Sequence, residues 1–394
     1  MAHITEITIE GLLGRPEPIQ IKLKRDVNIF FGENGSGKTT LLKVLDAALS
    51  RDDGAMELLP VTKAVVDIYS IDKKKVFKHT WERRDAKPFH ELDRQQLEMI
   101  EREYAAMADG HFLFRRGRSN SEWKVFPNKR RERAVNRWEH TFLPTTRLYS
   151  AGSGPGRPGA LRAQLSDTEL DQGFSETVNR AWLHFYSKTL SEVRTIQESG
   201  LVAVLKHVLD PEQEDGTHTP HDANAVYTRV SNFLARQHHS DRISLGSAST
   251  FKRRYDQEPS LRRIVENLDE VERSIERAMI PVNSFLEKIT RLFSRGKSLK
   301  LSGNELEIIL SDGRALPIAH LSSGEKHLIR ILLSAMTAGP NTVLIDEPEL
   351  SMHIDWQRLF VQTILSLNPS CQLILASHSP EIMADMPDSN IFKL

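Results

Sequence analysis

The sequence predicts an α/β fold with a mixed sheet, its two halves separated by a long helical insertion. Three observations carry this. GENGSGKT at 32–39 sits between an apolar run (Val27, Ile29, Phe30, Phe31) and a stretch with Leu41, Leu42, Val44, Leu45, Ala48 and Leu49 at helical spacing. Near the other end, TVLIDEPEL (342–350) and QLILASHSP (372–380) are apolar strands that end in acids and in a histidine. Between them, the apolar residues Leu261, Ile264, Leu268, Val271, Ile275, Ala278, Val282, Phe285, Ile289 and Leu292 alternate steps of three and four, a heptad seam.

In chain order, residues 3–31 read as two strands around the turn GLLGRPEP, then the strand leading into the glycine loop. Residues 61–82 read as a hairpin on the edge of that N-terminal sheet, with IDKKK as its turn. ELDRQQLEMIEREYAAMA is a helix pattern. The segment 115–137 is basic (Arg115, Arg116, Arg118, Lys124, Lys129, Arg130, Arg131, Arg133, Arg137, against Glu122, Glu132 and the nearby Glu139), and Phe112, Phe114, Trp123, Phe126 and Trp138 lie within or beside it. Such a composition suits a nucleic-acid surface and equally a solvated insertion with a small aromatic core. FLPTTRLYSAG reads as a strand returning to the sheet, and SGPGRPG as a linker. Residues 174–209 carry helical spacing and are the expected antiparallel partner of 261–293, which would span roughly 48 Å if fully helical. Pro281 should kink or break that second helix. His218 and His221 lie in a polar loop without metal-ligand spacing. Residues 298–318 form a hairpin. The expected division is therefore a head from 1–85 and 298–394 with an insertion over 86–297.

Composition narrows the class. Across 394 residues, 53 basic and 53 acidic side chains cancel, so no global charge drives the chain toward nucleic acid or membrane. The single cysteine, Cys371, cannot form an internal disulfide and sits in a buried-strand pattern. No apolar run approaches membrane-span length and no leader pattern opens the chain, so a soluble protein of the cytosol is expected.

The chemistry is concentrated at three strand ends. In the loop, Gly32, Gly35 and Gly37 let backbone N–H groups turn inward toward phosphate oxygens, with Asn34, Ser36 and Thr40 in the same cradle. The following helix adds its positive end. Lys38 supplies a charge for phosphate and the Thr39 hydroxyl suits Mg²⁺. Asp346, at the end of a buried strand, is the second candidate Mg²⁺ ligand. Glu347 beside it suits a general base, and His378 a partner for phosphate or water. LSSGE (321–325) opens a helix and offers a second anion cradle through Ser322 and the Gly324 backbone. One nucleotide does not need two cradles on one protomer, so this one is expected to face the nucleotide of a second.

These motifs resemble the ABC-type ATPases of the SMC/RecF/OLD-like group, often described simply as AAA family ATPases. Gly32–Thr39 matches Walker A, Leu321–Glu325 the ABC signature, Leu344–Pro348 Walker B, Glu349–His353 the D-loop region, and His378 the switch histidine. The resemblance covers 1–80 and 298–394. It implies a P-loop ABC-type ATPase head that takes ATP and Mg²⁺ and forms a homodimer or higher assembly. Two nucleotides would be sandwiched between the Walker A of one protomer and Ser322 of the other. No Q-loop glutamine is evident; the strand end near Thr146 and Arg147 falls where it would lie. Heads of this kind resemble ATPase subunits of bacterial anti-phage systems that act with a separate effector protein. A RecF-like DNA-repair role is the alternative. A transporter subunit fits less well with DEPEL and ASHSP.

Overall fold

The computed structural model describes residues 1–83, 121–126, 137–145, 167–209, 227–228, 230–231, 247–293 and 296–394. They form two compact units, one of 1–183 with 285–394 and one of 184–284.

The first unit is built on two sheets. In the antiparallel sheet the order is β2 (Ile19–Lys22), β1 (Ala2–Glu10), β4 (Lys63–Ser70), β5 (Lys75–Glu82), β6 (Lys124–Phe126). The expected 61–82 hairpin is present as β4 and β5, but not as the edge. β4 pairs with β1 along its whole length, and β6, from the expected insertion, closes the sheet beyond β5. The second sheet is wholly parallel, in the order β13 (Ile391–Lys393), β3 (Val27–Phe31), β12 (Gln372–Ser377), β11 (Thr342–Asp346), β7 (His140–Leu143). Every residue of β11 and β12 is buried, as expected for parallel strands covered on both faces. A third, small sheet holds β8 (Lys297–Ser302), β9 (Glu305–Leu310) and β10 (Ala315–Leu316).

Helix α1 (Lys38–Ser50) is apolar nearly all round, with Leu41, Leu42, Val44, Leu45, Ala47, Ala48 and Leu49 buried. Such a helix belongs in an interior. It shares one core with Ile4, Ile7 and Ile9 of β1, Val66 of β4, and Leu344 and Ile374 of the parallel sheet. Gln372 joins the two sheets. Its Oε1 accepts from the Ile4 N–H (2.8 Å) and the Thr342 hydroxyl (3.1 Å), and its Nε2 donates to the Ile4 and Lys24 carbonyls (both 2.7 Å). Cys371 is buried beside it, with its thiol pushed up to about 11 by burial, an inert structural group.

Helix α2 (Asp53–Glu57) follows α1, and α3 (Asp167–Leu209) and α5 (Pro259–Leu292) are the two long helices. Two strands of the expected insertion thus belong to the head. Their neighbours Trp123 and Trp138 explain this, since both rings are buried in the head core. Within the first unit Trp182 of α3 stacks on Phe285 of α5 at 5.7 Å. Within the second, a side chain at Gly200 would strike Val271 at 2.2 Å, so the backbones meet closely there. Both stretches expected to be helical, 174–209 and 261–293, are helical. Pro281 lies inside α5 without breaking it; Val282, Phe285 and Ile289, all buried, hold the turns that follow. The second unit also holds α4 (Ala248–Gln257), whose Phe251 and Tyr255 pack with Val230 and Val265.

The C-terminal part supplies α6 (Ser323–Thr337), α7 (Ile354–Leu367) and the short α8 (Pro380–Met383). Most of the basic segment, the 91–108 helix pattern, His218, His221, Thr146 and Arg147 lie outside the described residues. Among the described residues, no helix is long and apolar enough to cross a membrane, and no group of three His, Cys, Asp or Glu could hold a metal.

Candidate nucleotide site

β3, β12 and β11 are adjacent and parallel, so their carboxyl ends place the glycine loop, His378 and Asp346–Glu347 along one edge. This is where open α/β sheets bind ligands. The loop is shaped by its glycines. Gly35 and Gly37 have φ of 84° and 96°, where a side chain is strained. Gly32 has no room for one, because a Cβ would lie 2.7 Å from the Ser36 hydroxyl and 3.0 Å from the Leu394 carbonyl. Asn34 is exposed at the loop tip and Thr40 is half-buried in the first turn of α1.

Lys38 is 4% exposed. Its ammonium donates to the Gly32 carbonyl (2.8 Å) and the Glu33 carbonyl (2.9 Å). An ammonium has three donors, so one remains for an anion. The Ser36 hydroxyl is buried without a protein partner. The Thr39 hydroxyl donates to Asp346 Oδ1 at 3.0 Å, across 307 residues. Thr145 donates to the other oxygen, Oδ2. Burial pushes the Asp346 carboxyl above the usual carboxylate range and Glu347 adds to this, while the two threonines and Lys43 work against it. A cation bound there would reverse the balance. The orphaned Ser36 hydroxyl, the spare lysine donor and the paired Thr39–Asp346 oxygens fit a magnesium nucleotide.

Glu347 has φ 46°, uncommon for a side-chain-bearing residue, and its N–H is fixed to the Ala376 carbonyl at 2.8 Å. Its Oε1 lies 3.8 Å from His378 Nδ1. The sequence reading missed two groups here. One is Thr145, whose role depends on a strand pairing that only the fold reveals. The other is Glu349, 5% exposed, on which Ser377, His378 and Ser379 converge. The sequence placed it in the D-loop region as the third acid of DEPE, without showing that its carboxylate turns back onto the end of β12.

The signature residues are organised separately. Ser322 caps α6 in a reciprocal box with Glu325: the Ser322 N–H and hydroxyl donate to Glu325 Oε2 (both 2.9 Å), and the Glu325 N–H donates back at 3.3 Å. Glu325 is buried and paired with Lys297 at 2.9 and 3.0 Å. The next residue, Lys326, is buried and paired with Asp171 of α3 at 2.5 Å. Gly324 lies against the turn after Walker B, where a Cβ would sit 2.4 Å from the Ser351 carbonyl. His327, its ring lowered to about 4 by burial and by Arg330, also bonds the Pro348 backbone. Ser322 and Ser323 remain exposed.

Two family models match. One, "AAA domain, putative AbiEii toxin, Type IV TA system", covers residues 210–384, and the other, "AAA domain", covers 6–136. The chain is similar to the retron Vc95 probable ATPase of Vibrio cholerae (31% identical over 96 residues, 21% of this chain and 19% of that protein). It is also similar to the retron Ec83 probable ATPase of Escherichia coli (28% over 111 residues, 25% and 20%). The similarity thus spans about a fifth of each curated relative. Among solved structures, the Smc head domain of Pyrococcus furiosus aligns over 100% of this chain and 93% of that one, at 13% identity and a TM-score of 0.41. Two AAA-domain models together span most of the chain, and the glycine loop, Asp346–Glu347 and His378 share one sheet edge, so the chain is an AAA-domain protein with the strand–loop–helix of a P-loop nucleotide site.

Proposed function

We propose that this protein is an ATP-driven dimer switch of bacterial anti-phage defence, acting with an effector on a separate chain. The observation that carries the chemistry is the Thr39–Asp346 hydrogen bond of 3.0 Å, which joins Walker A to Walker B and sets Glu347 beside them. Magnesium-bound ATP would supply a γ-phosphoryl group for transfer to water. Lys38 and the loop N–H groups bind its phosphates, and Thr39 and Asp346 hold the cation. Glu347 accepts the proton of the attacking water, and His378 fixes the water or the phosphate by a hydrogen bond.

Dimerisation is supported by the exposed Ser322 and Ser323 at the positive end of a 15-residue helix, a second anion cradle on the same protomer. Defence is supported by the similarity to the two retron ATPases. The DNA-repair reading would be favoured by nucleic-acid binding through the basic segment.

The test is the mass in solution of Glu347→Gln with and without ATP and Mg²⁺, by light scattering. A mass that doubles with nucleotide is expected. A protein that binds ATP yet stays monomeric would remove the dimer switch while leaving the ATPase assignment standing.

A further inference from the structure

We propose that Glu349 is a positioning residue for His378: its buried carboxylate keeps the imidazole proton on Nδ1 and leaves Nε2 as the reactive ring nitrogen. This rests on the ATPase reading of the site.

The geometry is unusual for a structural acid. One oxygen, Oε1, receives the Ser377 hydroxyl (2.8 Å), the His378 N–H (2.7 Å) and the Ser379 N–H (3.1 Å). Three consecutive residues therefore fix that oxygen through groups other than the ring. His378 Nδ1 then lies 3.0 Å from it. An ionised carboxylate can only accept, so a proton on the ring nitrogen facing it is favoured over a lone pair there. The competing acid, Glu347, is 3.8 Å from the same nitrogen, beyond hydrogen-bond reach. A neutral imidazole has one ring proton, so Nε2 keeps its lone pair and can take a proton from water or, once charged, donate to phosphate.

Exposure agrees. The Glu349 side chain is 4% exposed and the His378 side chain 46%, so the acid is anchored inside and the ring reaches the surface where a ligand would be. Its other oxygen, Oε2, is buried without a partner, which costs the fold stability. A loop brace alone would not need an ionisable group with one oxygen left unpaired.

The test uses nitrogen-15 NMR of the imidazoles in the nucleotide-free full chain, with His378→Gln to assign the His378 signals, alongside steady-state ATP hydrolysis. We expect the neutral His378 ring of the wild type to carry its proton on Nδ1, and Glu349→Gln to shift it toward Nε2. Glu349→Gln should lower kcat about tenfold or more while KM for ATP changes by less than about twofold. Adding Glu349→Gln to His378→Gln should cost nothing further. The proposal is overturned by an Nε2 proton in the wild type, by a tautomer unchanged in Glu349→Gln, or by a double variant clearly slower than His378→Gln alone. If Glu349→Gln does not fold, the wild-type tautomer decides. A wild type that does not bind ATP would sink the ATPase reading, and the NMR would still answer for Glu349.

Discussion

Lys297→Met should expose how the signature helix is held. Lys297 reaches both oxygens of Glu325 at 2.9 and 3.0 Å; the Glu325 side chain is 4% exposed and the Lys297 side chain 25%. Removing one partner of a buried pair strands the other charge, at about 3–5 kcal/mol. Water reaches the lysine, so about 2–3 kcal/mol is the expected loss here. Burial raises the Glu325 carboxyl, but Lys297 and the two Ser322 bonds outweigh it and hold the group below its ordinary value. A carboxylate depressed in the folded state stabilises above its unfolded pKa, and that stabilisation is lost as pH falls through the folded one. Urea unfolding at pH 7 should therefore show a lower midpoint for Lys297→Met at similar slope, and the gap to wild type should narrow toward pH 4. Lys297→Met/Glu325→Gln should recover most of the loss, since glutamine keeps the capping box and removes the buried charge. A single variant within about 0.5 kcal/mol of wild type at pH 7, a surface-like value, would refute the reasoning.

Gly324→Ala should destabilise by about 1–3 kcal/mol and abolish ATP-driven association, because its Cβ would meet the Ser351 carbonyl at 2.4 Å; unfolding and light scattering check it. Asp346→Asn should abolish hydrolysis yet not weaken the magnesium-free fold at pH 8. The Asp346 carboxyl is raised on folding, so its ionisation costs stability as pH rises, and the variant's relative stability should improve from pH 4 to pH 8. Lys38→Ala should eliminate ATP binding, read by calorimetry; unchanged affinity would sink the phosphate-loop assignment. Replacing Arg130, Arg131 and Arg133 with Glu should weaken DNA or RNA binding with a reduced salt slope, and an unchanged affinity would make the segment a solvated face.

What could be read from the sequence was local. A strand, a glycine loop and a helix follow one another within residues 27–50, so spacing alone placed Lys38 and Thr39. The same holds for LIDEP and for LSSGE, whose capping-box partners Ser322 and Glu325 are three positions apart. What could not be read depends on distant pairing. Thr145 meets Asp346 across 201 residues; the strand expected from FLPTTRLYSAG does return to the sheet, as β7, but its partner β11 could not be named. Trp123 and Trp138 read equally as part of a basic surface or of a small local core, because their burial partners in α1 and β5 are distant in the chain. Pro281 was expected to kink or break its helix; the helix continues because tertiary packing of Val282, Phe285 and Ile289 outweighs one missing hydrogen bond.

The strand that leads into the glycine loop has a place in the sheet with consequences for synthesis. β3 is formed by residues 27–31, but both of its neighbours come from the far end of the chain, β12 at 372–377 and β13 at 391–393. Gln372 likewise secures Ile4 and Lys24. On a ribosome the loop is made first, yet the strands that hold it arrive only on the order of tens of seconds later. A nascent or C-terminally clipped chain therefore carries the entire Walker A sequence without the walls that shape it. The glycine loop therefore takes its place beside Asp346, Glu347 and His378 only after β12 and β13 have paired with β3.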